Sequence, residues 1–373
     1  MSDLTNGVNG VPFLDLSEEF RALQEEWMSE IRAAGASGQF ILGPNVSAFE
    51  GEFAAYCGSA HAVSVANGTE ALALTLRALG VGPGDEVITT PYTFIATAEV
   101  VSQVGAIPVF VDIEADSFNL DARQIEERIT EKTRGIIPVH LFGYPAAMKE
   151  INRIAKDHGL RVVEDCAQAC GAERAGSRVG GLGNAGCFSF YPTKVLGCYG
   201  DGGMVTTDDS DLVERILKLR NHGASSPFIH DIVGYNSRLD EIQAALLRIK
   251  LRNIETAIEE RARVAALYDA RLANLGVVVP STPAAGRHAF NLYTIRVPGR
   301  DAVRDRLRQH KIGCSVCYPL PLHLQSVYAG LGYREGDLPV AEQAARECLS
   351  LPIFPGMQAG QVALVCDVVG QAL

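Results

Sequence analysis

Ala62-Val-Ser-Val65-Ala-Asn-Gly-Thr69-Glu-Ala-Leu-Ala-Leu-Thr-Leu-Arg-Ala-Leu79 carries the reading on which the fold turns. Ala62–Val65 is a short strand-forming run, Ala66-Asn-Gly-Thr69 a glycine turn, and Glu70–Leu79 a segment of helical length and pattern. The same alternation continues to about residue 206. Further strands are expected at Glu86–Thr90, Ile107–Val111, Gly135–Leu141, Arg161–Glu164, Cys187–Phe190 and Met204–Thr206. Helical patterns at Ile95–Val104 and Asp121–Arg128 lie between them. The strands are apolar almost throughout, which requires cover on both faces. An α/β domain with a largely parallel sheet between helical layers follows.

Past Arg238, Leu239, Ile242, Leu246, Ile249 and Ile254 keep the spacing of one apolar helix face and predict a single long helix. It leads into a second region with a helix at Asp301–His310 and strands at Leu292–Val297 and Ser315–Tyr318. The expected organisation is a flexible N-terminal arm (1–11), a large domain (12–249) and a smaller C-terminal α/β domain (250–373).

Composition narrows the partners. The 373 residues carry a net charge of −11, which argues against nucleic acid, and 21% charged residues, ordinary for a soluble enzyme. No apolar run is long enough to span a membrane, and Met1-Ser-Asp-Leu-Thr-Asn-Gly lacks the features of a signal peptide, so a cytoplasmic protein is expected. Nine cysteines, an odd number scattered through apolar segments, read as reduced thiols. Cys314-Ser-Val-Cys317 matches C-x-x-C, but no second pair completes a zinc site, and no metal is expected. Gly181-Leu-Gly-Asn-Ala-Gly186 matches a dinucleotide fingerprint, yet it leads into a strand where that fingerprint must open a helix.

Chemistry concentrates in four segments. Phe188-Ser-Phe-Tyr-Pro-Thr-Lys194 runs from an apolar stretch straight into a lysine bracketed by Pro192 and Gly197. Desolvation disfavours the ammonium form, and such an amine serves most directly in imine formation with an aldehyde such as pyridoxal phosphate. A lysine so placed also pairs with carboxylates or snorkels to water. Ala66-Asn-Gly-Thr69 opens a helix and presents N–H groups to an anion, or is an ordinary capped turn. Pro91-Tyr-Thr-Phe-Ile-Ala-Thr97 offers an aromatic ring to a flat cofactor or to the core. Val162-Val-Glu-Asp165-Cys-Ala-Gln168 ends a strand on two carboxylates, and one facing a pyridine nitrogen would keep it protonated. Ser189, five residues before Lys194, supplies a hydroxyl for a phosphate.

With these segments go Pro12-Phe-Leu-Asp-Leu, Ile41-Leu-Gly-Pro-Asn, Pro138-Val-His-Leu-Phe-Gly, Gly200-Asp-Gly-Gly, Arg220-Asn-His-Gly, Gly234-Tyr-Asn-Ser-Arg and Tyr318-Pro-Leu-Pro-Leu-His-Leu-Gln. In this order, over almost the whole chain, they resemble the DegT/DnrJ/EryC1/StrS family, sugar-nucleotide aminotransferases of pyridoxal phosphate fold type I. The resemblance implies that Lys194 forms the Schiff base and Asp165 binds the ring nitrogen. It places Gln168 by the ring hydroxyl, Gly68, Thr69 and Ser189 on the phosphate, and Phe94 against the ring. Asn236 would reach the cofactor phosphate of the neighbouring subunit, making a homodimer with shared sites. Arg238 is a candidate for an anionic part of either substrate, and Tyr318 and His323 for the sugar nucleotide. Both of these also read as packing residues, His323 as a hydrogen-bonded structural histidine. Cys166 stands where small residues are common in the family.

The implied reaction moves an amino group from L-glutamate to a keto-sugar nucleotide, 3-keto rather than 4-keto, in the making of amino sugars for polysaccharides. Two other readings compete. A pyridoxamine-dependent dehydratase of the same family would carry histidine in place of Lys194. A non-catalytic, cofactor-binding regulator would be expected to bring a basic DNA-binding segment, which this sequence lacks.

Overall fold

The computed structural model describes residues 10–283 and 285–373. Seven strands form the central sheet: β1 (His61–Val65), β2 (Glu86–Thr89), β3 (Ile107–Phe110), β4 (Thr133–Ile136), β5 (Arg161–Asp165), β6 (Ala185–Ser189) and β7 (Gly203–Thr207). Their spatial order is β1-β7-β6-β5-β4-β2-β3. All neighbours are parallel except β7, which runs antiparallel to both β1 and β6. Six strands therefore end at one edge of the sheet. In open sheets of this kind ligands bind at that edge.

Both faces are buried, and the pleat sends successive side chains to opposite layers. Cys187 and Val205 pack with the helices Gly68–Ala78 and Ser210–Arg220, while Phe188 and Met204 face Phe49, Phe53 and Leu246 of the helices Pro44–Cys57 and Glu241–Leu251. The Gly68–Ala78 helix starts where the Asn67 side chain accepts the Glu70 N–H (2.9 Å). Ser210–Arg220 is capped in the same manner by Asp209.

A second core joins the antiparallel pair Tyr293–Arg296 and Cys348–Leu351 to the helices Arg300–Gln309 and Ala359–Ala372. Val11 is buried in this core and bridges to Ile312. The preceding residues assigned to the arm, 1–9, lie outside the described residues.

Three expectations need correction. Asp121–Arg128 is two 3-10 turns, Ala122–Gln124 and Glu126–Arg128, and not an α-helix. The Asp121 carboxylate gathers the Arg123 N–H and the Arg123 and Gln124 side chains, and i→i+3 bonds close tight turns there. The single helix after Arg238 is two, Glu241–Leu251 and Ile254–Leu272, divided at Arg252-Asn253. Ile254 and Ile258 of the second helix pack on the large core and Val264 onward on the other. Ser315–Tyr318 forms only one bridge, Ser315 to Ser350, and Pro319 and Pro321, which lack N–H groups, bar any ladder beyond Tyr318. All nine cysteines are free thiols.

The glycine segment rejected as a dinucleotide site has a different use. Gly180, Leu182 and Gly183 donate their N–H groups to the buried Glu164 carboxylate at 2.7–2.9 Å. His140 Nε2 meets the same carboxylate at 2.9 Å, while its Nδ1 accepts the Ala146 N–H. The Nδ1 lone pair is thus engaged and the ring proton sits on Nε2, facing Glu164. His140, Glu164 and Cys166 cluster closely enough to suggest a metal, but these bonds already occupy the donors of the first two. Glu164→Ala leaves three backbone donors and an imidazole unpaired in the interior. It should cost about 3–5 kcal/mol in a denaturant-unfolding measurement.

Candidate active site

Asp165, the last residue of β5, is buried at the carboxyl edge of the sheet. Its Oδ2 accepts from the Thr97 hydroxyl (2.8 Å) and its Oδ1 from the Ala167 N–H (3.1 Å). Burial raises its pKa above the usual carboxylate value against the pull of these bonds and of Lys194. Thr97 in turn contacts Thr93 at 3.1 Å, four residues earlier on the turn that begins the Ala96–Gln103 helix. This chain therefore presents an oriented, buried carboxylate with no cation bonded to it.

Lys194 lies in the turn beyond β6, where its N–H donates to the Tyr191 carbonyl (2.9 Å). Gly197 makes the tight path possible, since a Cβ there would stand 2.7 Å from the carbonyl oxygens of Tyr191 and Pro192. The half-buried Lys194 amine forms no hydrogen bond or salt bridge with another described residue. Burial lowers its pKa, opposed by the negative charge of Asp165. It lines a cavity of about 190 Å³ with Gln168, Asn291, Cys317 and Tyr318.

At the other end of the edge, Gly68 opens its helix directly against Ser189. A Cβ on Gly68 would fall 2.7 Å from the Ser189 Cβ, so only glycine permits this approach. Asn67 takes the Glu70 N–H, and the first N–H groups of the helix, those of Gly68 and Thr69, have no intrahelical acceptor. Two N–H groups, a hydroxyl and a helix N-terminus make an anion cradle. Gln168 accepts the Phe142 N–H (2.9 Å) and donates to the Tyr318 hydroxyl (2.7 Å), and the Tyr318 ring stacks on Phe142.

Among the remaining candidates, Phe94 projects at 60% exposure from the segment that holds Thr97. Asn236 is exposed and bridges to Asn221, whose side chain accepts from Arg238 at 2.7 Å. Ser237, between them, accepts the Ala66 N–H, which sets this strip beside the anion cradle. His323 stands apart. It is 1% exposed, with Nε2 against Glu342 (3.2 Å), a carboxylate that also receives the Gly336 N–H. The structural alternative for His323 is the one its surroundings support. Thr97 and Asn291 escaped the sequence analysis. The i, i+4 threonine spacing was the available signal for the first, and a lone polar residue inside Ala289-Phe-Asn-Leu-Tyr293 for the second.

A buried carboxylate lacking a cation, a desolvated lysine and a glycine–serine anion cradle on one sheet edge suit pyridoxal phosphate at its nitrogen, aldehyde and phosphate. Fold and site together define a pyridoxal phosphate aminotransferase of fold type I. The chain belongs to the DegT/DnrJ/EryC1/StrS aminotransferase family, whose model matches residues 21–370. It is 48% identical to a "pleiotropic regulatory protein" of Geobacillus stearothermophilus, over 97% of this chain and 98% of the relative. It is 45% identical to a UDP-N-acetyl-3-dehydro-α-D-glucosamine 3-aminotransferase of Acidithiobacillus ferrooxidans, again over 97% and 98%. The crystal structure of Streptomyces venezuelae DesV with a ketimine intermediate superposes with a TM-score of 0.95 at 45% identity, covering 98% of each chain.

Gly68→Ala should keep the fold yet weaken pyridoxal phosphate binding by roughly tenfold or more, because the cradle must open to admit the methyl group. Fluorescence titration of the apoprotein with the cofactor, beside a thermal melt, measures both.

Proposed function

We propose that this chain transfers an amino group from L-glutamate to the 3-keto group of a sugar nucleotide. One observation carries the reading: Lys194, without a partner among the described residues, lines a cavity with Gln168 at the sheet edge where the buried Asp165 ends β5. Bound pyridoxal phosphate supplies an aldehyde that exchanges amino groups and a ring that takes up the electrons left on the donor's α-carbon. The residues around it divide the remaining work. Asp165 holds positive charge at the ring nitrogen, kept in register by Thr97 and the Ala167 N–H. Gly68, Thr69 and Ser189 fix the phosphate, Gln168 the ring hydroxyl, and Phe94 one ring face. The Lys194 amine would carry a proton to and from the donor's α-carbon. Arg238 serves an anionic group of a substrate, and Tyr318 the sugar. The 3-keto preference draws support from the Tyr318–Gln325 segment and from the Acidithiobacillus relative, named for that chemistry.

A homodimer with shared sites belongs to this reading. Phe228 (97% exposed), Ile229, Ile232 and Val233 stand out on and beside a hairpin next to the Asn236–Arg238 strip, an apolar surface that a second copy would cover. The division at residue 250 into large and small domains is part of the same proposal, as is a cytoplasmic location. No helix among the described residues is long and apolar enough to cross a membrane. The name of the Geobacillus relative favours a regulator as the second reading. Lys194 speaks against a dehydratase that would have histidine at that position.

Titrating the cofactor-loaded protein with L-glutamate distinguishes these readings. The visible band of lysine-bound cofactor should disappear in the wild type, and no such response should occur in Lys194→Ala. A band that L-glutamate leaves untouched would favour the regulator. Shared sites have their own test. Mixed Lys194→Ala and Asn236→Ala proteins, each inactive alone, should recover about a quarter of wild-type activity when subunits re-assort, since a hybrid dimer keeps one intact site.

A further inference from the structure

Asn291 is a polar side chain set into a buried stretch, 6% exposed, in the wall of the Lys194 cavity. Its Oδ1 is buried and has no hydrogen-bond partner among the described residues. A buried amide oxygen left unpaired costs about 1–3 kcal/mol, so its retention calls for a donor that arrives from outside. The backbone beside it is held in an unusual shape. Phe290 has φ 45°, the left-handed region, and three contacts keep it there. Its N–H donates to His288 Nδ1 (2.9 Å), its carbonyl accepts from Arg261 Nη1 (3.2 Å), and its ring stacks on His288 at 4.0 Å. The Leu292 N–H is tied to the Phe142 carbonyl (3.2 Å) on the other side. Strain over-determined in this way fixes the carboxamide in place and belongs at a binding wall more than in a plain core.

Resting on the aminotransferase reading above, we propose that Asn291 contacts the amino acceptor. Its Oδ1 takes a hydrogen bond from a ring substituent next to the aminated carbon, a hydroxyl or an acetamido N–H. Chemistry separates the two substrates. L-Glutamate, with its amine engaged at the cofactor, offers two carboxylates, which accept and cannot donate. A sugar hydroxyl or acetamido N–H donates. Two other polar groups of the wall are already engaged: Gln168 bridges Phe142 and Tyr318, and Cys317 lies against Ser315 and Ser350.

The experiment compares wild type, Asn291→Leu and Asn291→Asp, each loaded with cofactor, followed through the visible band and by calorimetry. L-Glutamate probes the donor side. UDP-2-acetamido-3-amino-2,3-dideoxyglucose, run in the reverse direction, probes the sugar side. Asn291→Leu should retain cofactor and respond to L-glutamate within about twofold of wild type, while its dissociation constant for the sugar nucleotide rises roughly tenfold. Asn291→Asp, which keeps an acceptor in the same place, should recover most of that loss. Equal weakening toward both substrates would mark a packing residue, and loss confined to L-glutamate would assign the amide to the donor; either overturns the proposal. A wild-type band that neither substrate moves overturns the aminotransferase reading itself, and the assignment of Asn291 with it.

Discussion

Strand β5 ends on two adjacent carboxylates, and the contrast in how they are satisfied organises the molecule around them. The pleat turns Glu164 and Asp165 to opposite sides of the sheet. Glu164 receives three backbone N–H groups and the His140 imidazole, enough to make a buried carboxylate tolerable. It is a structural group, and it binds the glycine loop before β6 to the sheet. Asp165 receives two hydrogen bonds, from Thr97 and Ala167, and burial still lifts its pKa. The protein satisfies one charge completely and leaves its neighbour short of a cation.

The rest of the cleft is assembled from both cores. Lys194 and Gln168 come from the large sheet region, whereas Asn291, Cys317 and Tyr318 come from the part of the chain that builds the second core. The Ile254–Leu272 helix packs into both cores and ties them together. Two residues with left-handed backbone, Phe142 and Phe290, stand beside this cleft, one donating its N–H to Gln168 and the other preceding Asn291. Each is held by hydrogen bonds and ring contacts on several sides, the condition under which such strain persists. Left-handed backbone thus stands on two sides of the cleft, at Phe142 and at Phe290.

Much of this was legible beforehand because it depends on local pattern. Six of the seven strands of the central sheet were placed to within two residues, since a buried parallel strand is a short apolar run between turns, whereas the one expected at Gly135–Leu141 is Thr133–Ile136. Lys194, Asp165, Gly68 and Ser189 stood out as residue types at strand ends, and the fold brings them to one edge. What stayed hidden depends on distant partners. Nothing near Glu164 in sequence says that residues 180–183 will solvate it. His323 read equally as a ligand contact and as a structural histidine, because its neighbours are silent about Glu342, nineteen residues away. The antiparallel course of β7 is likewise invisible in its five residues, Gly203-Met-Val-Thr-Thr207.

Lys194 and Asp165 are shifted in opposite directions by the same cause. Burial lowers the lysine and raises the aspartate, and in both cases the neutral form gains. The consequence for chemistry is favourable on both sides. A neutral amine would be the form that meets an aldehyde, and Asp165, its two oxygens oriented by the Thr97 hydroxyl and the Ala167 N–H, would hold a protonated ring nitrogen. A salt bridge between Lys194 and Asp165 would have engaged both groups with each other; keeping them near but unbonded leaves each available to the cofactor.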